Sequence, residues 1–373
     1  MAPERFPNVG DHMTLGVAKR EIETPALLID LDNMEDNIRR MAKYFSRVKS
    51  NLRAHTKTHK SPAIAQRQIS AGARGICCQK LGEAEVMANH GISDILITSE
   101  VVDPEKIQRL VRLAQSHDVK VVVDNLKVAK ATSEAARRES VRQGVIVEID
   151  VRKKRCGVMP GEPTVDFVKE IVRFEGLDFR GLMGYEGPFF DIPVFEQRKA
   201  AAHELLRSLK ETVDMVESEG IAVRDVSAGS TSTYSIAGEY SRITEIEAGS
   251  YVFMDSTYSK LGGLDFGCAL TVLATVISRP VPERVVVNTG LKAITQEFGM
   301  PVVKDYEDAK MYHMSEEHGM IRVDPASKID VGDKLELIPS HCCTTVNLHD
   351  QYYGVRKGKL EAMWPIPARG KFQ

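Results

Sequence analysis

The sequence has little net charge and no long apolar run, and each absence excludes a class of protein. Its 50 Lys and Arg residues nearly balance 52 Asp and Glu residues, for a formal net charge of −2. No basic field therefore argues for a nucleic-acid or membrane partner. No apolar stretch approaches the ~20 residues that cross a bilayer. The first residues, MAPERFPNVGDH, lack the apolar core of a signal peptide, so we expect a cytoplasmic protein.

Cysteine is also scarce, and its placement does not suit a disulfide framework. The chain has six cysteines, and four of them form the adjacent pairs Cys77–Cys78 and Cys342–Cys343. Secreted disulfide scaffolds are short chains with spaced cysteines. Reduced thiols, one of them a possible metal ligand, fit this sequence better.

The first two thirds of the chain alternate short apolar runs with amphipathic segments. Such alternation predicts a parallel sheet covered by helices, and eight strands are the number that closes a (β/α)8 TIM barrel. A doubly wound open sheet is the competing fold, but no GxGxxG motif follows the first run. The eight runs are residues 26–31, 52–55, 75–79, 94–99, 120–124, 145–150, 179–185 and 224–229.

The pattern changes after about residue 255, where apolar runs follow one another across tight turns with little helix between them. This pattern is typical of an antiparallel unit. The 373 residues are in any case too many for one ordinary domain. We therefore expect an α/β barrel over residues 24–255 and a C-terminal antiparallel β-domain over 256–373, joined by the N-terminal segment 1–23.

The segment LRAHTKTHKSP gathers two histidines and two lysines where the second predicted strand ends. Catalytic groups of a barrel stand at the C-terminal ends of its strands. A partly desolvated lysine there has a lowered pKa and can form a Schiff base. Period-two alternation would place His55, Lys57 and His59 on one face, which favours Lys57 over Lys60 as the inward lysine. The alternative is that both lysines are solvated charges ahead of a helix.

A Schiff-base lysine predicts a phosphate site on the same rim. The loop SAGSTSTYS (227–235) follows the eighth run and offers small residues, hydroxyls and a glycine to an anion. Together with Lys57 it suggests pyridoxal phosphate, although most such loops are merely turns. Residues 247–258 would supply a second wall, with Tyr251 as a hydrogen-bond donor. Arg155 either faces the phenolic oxygen of the cofactor or is surface charge.

The segment PSHCCTTVNLHD (339–350) contains a possible metal pair. In an extended segment His341 and Cys343 would share one face, about 6–7 Å apart, and could hold one ion. Two protein ligands leave positions for water or substrate, which suits a catalytic ion. The alternative is a buried histidine beside inert cysteines.

With these residues placed, the chain resembles the D-threonine aldolase and D-serine dehydratase family of fold-type III pyridoxal-phosphate enzymes. The resemblance runs from ETPALLIDLD (23–32) to WPIPARGK (364–371), through HTKTHKSP, GARGICCQK, RCGV, EAGSYVFMD, EEHG and PSHCCTTVNLHD. It implies an alanine-racemase-like barrel with a β-domain, a homodimer, pyridoxal 5'-phosphate on Lys57, and a divalent metal (Zn, Mn or Mg). The implied site comprises catalytic Lys57, His55 and Glu186, cofactor-binding Gln79, Arg155, Tyr185, Gly229, Ser230, Thr231, Ser232, Gly249, Ser250 and Tyr251, and metal-binding His341 and Cys343.

Two positions depart from the pattern of the aldolase branch. The second metal position is Cys343, as in the dehydratase branch, where aldolases usually have Asp; a thiolate with an imidazole favours zinc. Glu186 stands where aldolases commonly have His or Gln, and a carboxylate there is a candidate base for the β-hydroxyl. The blocks TTVNLHD and WPIPARGK are closer to the aldolases.

The resemblance therefore implies a lyase whose substrate is a small D-β-hydroxy-α-amino acid. We expect retro-aldol cleavage to glycine and an aldehyde; the alternative is dehydration of D-serine or 3-hydroxy-D-aspartate to a keto acid and ammonia. A racemase would need a second acid–base group, for which Tyr306, Tyr352 and Tyr353 are candidates. A protein that binds the cofactor without turnover is also possible on the sequence alone. Phe189 and Phe190 would lie near the mouth and suit an apolar β-substituent.

Overall fold

The computed structural model describes residues 14–151 and 154–373, and its strands form two sheets. The first strand, β1 (Ala26–Asp30), belongs to the larger sheet. The next eight strands close a parallel barrel, which confirms the predicted TIM barrel. They are Asn51–His55 (β2), Gly75–Cys78 (β3), Asp94–Ile97 (β4), Asp118–Val123 (β5), Gln143–Glu148 (β6), Leu177–Gly184 (β7), Asp225–Ala228 (β8) and Glu245–Ile246 (β9).

The barrel forms because its strands are apolar on both faces, as parallel strands covered by helices must be. Every residue of β6 is buried, for example. One layer of inward side chains fills the barrel interior with a residue from each of the strands β3 to β7. These residues are Cys77, Leu96, Val122, Ile146 and Met183.

Helices follow most barrel strands and begin where the sequence provides caps. Asp103 accepts hydrogen bonds from the backbone N–H groups of Glu105 and Lys106, and Pro104 occupies the first turn, where its missing N–H costs nothing. The helices are Leu31–Phe45 (α1), Pro62–Ser70 (α2), Leu81–Asn89 (α3), Pro104–Leu113 (α4), Leu126–Arg138 (α5), Glu162–Ile171 (α6), Phe195–Ser218 (α7), Tyr234–Ala237 (α8) and Cys342–Val346 (α9).

The second sheet has nine strands and confirms the predicted C-terminal β-domain. Its order is β11-β14-β13-β12-β15-β10-β1-β16-β17, and its pairings are antiparallel except for the parallel pair of β1 and β16. The strands after the barrel are Leu270–Val281 (β10), Arg284–Val287 (β11), Val302–Val303 (β12), Lys310–Met314 (β13), Gly319–Arg322 (β14), Lys334–Ile338 (β15), Gln351–Arg356 (β16) and Lys359–Pro365 (β17).

The first apolar run was wrongly predicted to be a barrel strand. Strand β1 pairs with β10 and β16 in the second sheet, and the two-residue strand β9 closes the barrel instead. A strand buried in either sheet has the same apolar sequence, so the run did not reveal its partners. The N-terminal segment also contacts this sheet, because Ala18 bridges to Lys359; residues 1–13 lie outside the described residues. The exact domain bounds stay a prediction.

The cysteines and the helices can be compared with the protein classes that the sequence excluded. All six cysteines are free, as predicted. Among the described residues, no helix combines the length and the apolar character needed to cross a bilayer.

A buried cluster of charges joins the strands where the barrel closes. The guanidinium of Arg53, on β2, is fully buried between Asp94 of β4, at 2.7 Å, and Glu245 of β9, at 2.8 Å. Arg74 also lies 3.6 Å from Glu245. Because β9 has only two residues, side-chain contacts such as these must supplement its few backbone hydrogen bonds.

Replacement of Arg53 should therefore be costly. We expect Arg53→Ala to lower the free energy of unfolding by about 3–5 kcal/mol, because it leaves the buried carboxylate of Glu245 without its closest cation. Urea titration of the purified variants measures this. Arg39→Ala, which removes an exposed arginine, serves as the control and should have little effect. Equal stability of the two variants would contradict a role for the cluster in closing the barrel.

Candidate active site

Lys57 lies in a tight turn directly after strand β2. Residues Thr56–Thr58 form one turn of 3-10 helix, and the Nδ1 atom of His55 accepts a hydrogen bond from the backbone N–H of Lys57. Lys57 and His55 both line a cavity at the C-terminal ends of the barrel strands. The predicted alternation was wrong, because the chain turns here: His59 is buried against Gln68 instead.

The second lysine of the segment is already paired. The ammonium of Lys60 lies 3.1 Å from the carboxylate of Glu83, and both side chains are buried. Glu83 also accepts hydrogen bonds from the Thr56 hydroxyl, at 2.7 Å, and from the backbone N–H of Gln79, at 3.0 Å. Glu83 thus fixes the turn from behind and leaves Lys57 as the lysine of this segment that faces the cavity.

The cavity lies between the barrel mouth and the β-domain, and most of the predicted site residues line it. Phe298, His341 and Cys343 come from the β-domain side. Predicted residues along its wall are His55, Lys57, Gln79, Arg155, Tyr185, Ser230, Thr231, Gly249, Ser250, His341 and Cys343. Lining residues that were not predicted as site residues are Thr58, Thr98, Met183, Pro188, Phe190, Glu247, Tyr258 and Phe298.

His55 is a lining residue whose two ring nitrogens are both engaged. Its Nδ1 atom contacts the Lys57 N–H, and its Nε2 atom lies 3.2 Å from the Thr98 hydroxyl. Burial, aided by the charge of Lys57, holds the pKa of His55 well below its usual range. The ring is therefore neutral and orients the Lys57 turn.

The loop after strand β8 contributes two hydroxyl-bearing residues to the cavity. Gly229 has φ +82°, a conformation that L side chains rarely adopt, and a Cβ there would lie 2.8 Å from Ile246. The loop then turns so that Ser230 and Thr231 line the cavity. Ser232 does not line it; its hydroxyl lies 2.9 Å from that of Ser230.

Glu186 does not occupy the position that was predicted for a base. Its side chain is fully buried and is not among the lining residues. The carboxylate accepts hydrogen bonds from the backbone N–H of Gly229, at 3.0 Å, and from the Thr233 hydroxyl. As placed, Glu186 supports the loop from behind and does not reach the cavity.

Two aromatic side chains also differ from expectation. The Tyr251 hydroxyl accepts a hydrogen bond from Gln68, at 2.9 Å, away from the cavity. Its backbone N–H contributes instead by donating to the Thr231 hydroxyl. Phe189 is buried in the core, and of the two adjacent phenylalanines only Phe190 lines the cavity.

Tyr185 lies close to two basic side chains. The ammonium of Lys57 and the guanidinium of Arg155 each lie 5.7 Å from the centre of the Tyr185 ring. Arg155 is further held by Glu148, at 3.4 Å. Arg155 therefore points into the site, which supports the functional interpretation over plain surface charge.

The possible metal pair lies at the start of a short helix. The prediction of an extended segment was wrong, because His341 caps the helix α9 and Cys343 lies in its first turn. The turn nevertheless brings donor atoms together: those of His341, Cys342 and Cys343 lie within 4.8 Å of one another. Nearby, the Thr58 hydroxyl lies 3.3 Å from the Cys343 sulfur.

Asp255, which sequence reasoning missed, fixes this pair. Its buried carboxylate lies 3.0 Å from Nδ1 of His341 and accepts a hydrogen bond from the backbone N–H of Cys342. A carboxylate on Nδ1 leaves Nε2 available as a ligand, as is usual for histidines that bind metals. Asp350, the nearer acid in the sequence, instead pairs with Arg369.

The electrostatics distinguish the two cysteines. Burial disfavours charge on His341, but the Cys343 thiolate and Asp255 outweigh it and raise the pKa of His341 to about 11. The hydrogen bond from Cys342 is the largest effect on Cys343; together with the charge of His341 it outweighs burial and holds the pKa of Cys343 well below its usual range. Burial raises the pKa of Cys342 well above its usual range. Cys343 is therefore the thiolate and the better ligand.

Glu247 is the second residue that sequence reasoning missed. It is the one carboxylic acid among the described lining residues, and it accepts a hydrogen bond from Ser227 at 2.6 Å. Burial raises the pKa of Glu247 to about 7, against the lowering effect of Ser227. In the sequence, Glu247 could have been found from its position at the start of the block EAGSYVFMD.

Comparisons with known proteins show the family of the chain. A family model described as the alanine racemase N-terminal domain matches residues 29–257, and a putative serine dehydratase domain matches residues 269–355. The chain is 40% identical to the 3-hydroxy-D-aspartate aldolase of Paracoccus denitrificans (strain Pd 1222), over 95% of this chain and 94% of that protein.

Solved structures give the same result. The D-threonine aldolase from Filomicrobium marinum superposes with a TM-score of 0.94 at 36% identity, over 96% of this chain and 99% of that one. The D-threo-3-hydroxyaspartate dehydratase from Delftia sp. HT23 superposes with a TM-score of 0.85 at 28% identity, over 93% of this chain and 98% of that one. The likeness to the aldolase is thus the greater of the two.

The role of Asp255 can be tested by metal binding. We expect Asp255→Asn to weaken Zn²⁺ or Mn²⁺ binding about 10–100-fold, because the carboxylate orients His341 and strengthens it as a ligand. Isothermal titration calorimetry measures the dissociation constant. Asp350→Asn is the matched control, since that exposed acid pairs with Arg369. Equal affinities in the two variants would show that Asp255 does not support a metal site.

Proposed function

Because this chain belongs to the alanine racemase-like family that contains D-threonine aldolases and D-serine dehydratases, we propose that it cleaves D-β-hydroxy-α-amino acids by a retro-aldol reaction. The products would be glycine and an aldehyde. The observation that carries the proposal is the near full-length likeness to aldolases, at 36–40% identity, over the lesser likeness to a dehydratase.

The residues of the cavity fit pyridoxal phosphate. Lys57 offers an amine to the cofactor aldehyde, and Ser230 and Thr231 offer hydroxyls to its phosphate. Glu247 offers a carboxyl group to the basic ring nitrogen. Gly249 lets its own backbone pack against the turn that carries Lys57, because a Cβ there would lie 2.8 Å from the His55 carbonyl oxygen.

The cavity also fits a divalent ion. His341 and Cys343 supply an imidazole and a thiolate, which together suit zinc. Asp255, 3.0 Å from Nδ1 of His341, would orient the imidazole so that Nε2 can bind the ion. The ion would supply Lewis acidity toward a substrate hydroxyl.

In the proposed reaction, pyridoxal phosphate and the protein side chains have separate roles. Pyridoxal phosphate, when bound, supplies an electron sink for the bond that breaks at the α-carbon. Lys57 would hold the cofactor, and Arg155 would provide a positive charge for the α-carboxylate. The substrate hydroxyl lies at the His341 and Cys343 side. Cleavage of Cα–Cβ releases the hydroxyl proton and the aldehyde, and the α-carbon takes up a proton to become glycine.

The dehydratase stays a second candidate, and one residue favours it. A thiolate at position 343 is the pattern of the dehydratase branch. In that reaction Lys57 would remove the α-proton and the hydroxyl would leave as water. Since Glu186 is buried behind the loop, it does not support the aldolase as a base for the hydroxyl.

A racemase and a protein that only carries the cofactor have less support. None of the three tyrosines proposed as a racemase acid lines the cavity: Tyr352 is buried and donates to the His59 carbonyl oxygen, and Tyr306 and Tyr353 also lie elsewhere. A cofactor carrier has no use for the His341 and Cys343 pair. The homodimer and the cytoplasmic location stay predictions.

Product identification tests the proposal. The purified protein, with pyridoxal phosphate and Mn²⁺, is incubated with D-threonine, D-3-phenylserine, 3-hydroxy-D-aspartate and D-serine, and the products are resolved by mass spectrometry. We expect glycine and the matching aldehyde, and no product from Lys57→Ala. A keto acid and ammonia would establish the dehydratase instead.

The placement of Glu186 makes a separate prediction. We expect Glu186→Gln to raise the dissociation constant of pyridoxal phosphate about tenfold, because it weakens the support of the loop after strand β8. At saturating cofactor, kcat should fall less than about threefold. Removal of a general base would instead lower kcat by about 10²–10⁴. Absorbance titration of the apo-protein and steady-state kinetics give the two quantities. A large loss of kcat with unchanged cofactor affinity would restore Glu186 as the base.

A further inference from the structure

Three aromatic rings form a continuous wall on one side of the cavity. Phe190 lies edge-on to Tyr258, with ring centres 4.8 Å apart, and also contacts Phe298, at 5.0 Å. The rings come from three separate segments: the loop after β7, the turn Tyr258–Lys260, and the loop between β11 and β12. We call Phe190, Tyr258 and Phe298 the aromatic wall.

The aromatic wall adjoins the proposed metal pair. The ring of Phe298 lies 5.1 Å from that of His341, and the ring of Tyr258 lies 6.4 Å from it. A β-hydroxy amino acid carries its hydroxyl and its β-substituent on the same carbon. A hydroxyl placed at His341 and Cys343 therefore leaves the β-substituent beside the wall.

The lysine and arginine side chains of the cavity lie elsewhere. Among the described lining residues, the lysine and arginine are Lys57 and Arg155, and both lie against Tyr185. A carboxylate against the wall would lose its water without gaining a guanidinium or ammonium partner, which is costly. A phenyl group would gain ring contacts there.

We propose that the aromatic wall receives the β-substituent and that the protein prefers apolar, above all aromatic, β-substituents over a β-carboxylate. This inference rests on the proposed lyase function and makes it more specific. It separates this chain from its relative named as a 3-hydroxy-D-aspartate aldolase, whose name specifies a β-carboxylate.

Phe298 is the residue through which the proposal can be tested. Its side chain is 45% exposed at the rim, so its replacement removes little from the core. Leu291, on the same loop, is 37% exposed and does not line the cavity. Leu291→Ala is therefore the matched control for the loop, and Phe298→Tyr retains the ring.

The experiment compares kcat/KM for D-3-phenylserine and 3-hydroxy-D-aspartate at saturating pyridoxal phosphate and Mn²⁺. We expect the wild-type protein to favour phenylserine at least about tenfold. Phe298→Ala should reduce that preference about tenfold. Phe298→Tyr and Leu291→Ala should retain it. A wild-type preference for 3-hydroxy-D-aspartate, or an equal loss for both substrates in Phe298→Ala, overturns the proposal.

A binding measurement separates this proposal from the lyase function. D-Phenylalanine and D-aspartate carry the same two β-substituents but no hydroxyl, and their binding shifts the cofactor absorbance without cleavage. Tighter binding of D-phenylalanine, by about tenfold, supports the wall even if no aldehyde is formed; tighter binding of D-aspartate contradicts it. Formation of a keto acid and ammonia would contradict the proposed aldolase reaction but not the role of the aromatic wall. The relative kcat/KM for D-3-phenylserine and 3-hydroxy-D-aspartate would still test that role.

Discussion

The buried carboxylate of Glu83 is the interaction on which the site depends. It binds the Lys60 ammonium, the Thr56 hydroxyl and the Gln79 N–H within 3.1 Å. These contacts fix the turn after strand β2 against the next barrel strand. A buried lysine needs such a partner, and Lys60 has it in Glu83. Lys57 then faces the cavity, and its backbone N–H donates a hydrogen bond to Nδ1 of His55.

The rest of the site follows from the meeting of two domains. The barrel supplies Lys57 and the loop after strand β8, which contains Ser230 and Thr231. Both lie at its C-terminal rim, where parallel strands bring their ends together. The β-domain supplies His341, Cys343 and Phe298. Strand β1 ties the domains together, because it precedes the barrel in sequence but pairs inside the second sheet. The barrel and the β-domain thus each contribute part of one cavity.

The sequence revealed those features that follow from local pattern. Seven barrel strands, the position of Lys57 after the second strand and the proximity of His341 to Cys343 were predicted, because buried parallel strands and motif residues are visible in short windows. The short strand β9 and the partners of β1 were not, because pairing depends on distant segments. Asp255, 86 residues from His341, was missed for the same reason. Glu186 and Tyr251 were predicted as residues facing the ligand, but their buried hydrogen bonds turn them away from the cavity.

The central claim is that Glu83 occupies Lys60 and leaves Lys57 to hold the cofactor. The most direct test is to load the protein with pyridoxal phosphate, reduce it with borohydride, digest it, and locate the cofactor by peptide mass spectrometry. The account predicts that the cofactor is found on Lys57 and that Lys60 is unmodified. Attachment to Lys60, or to a lysine outside the turn, would contradict it.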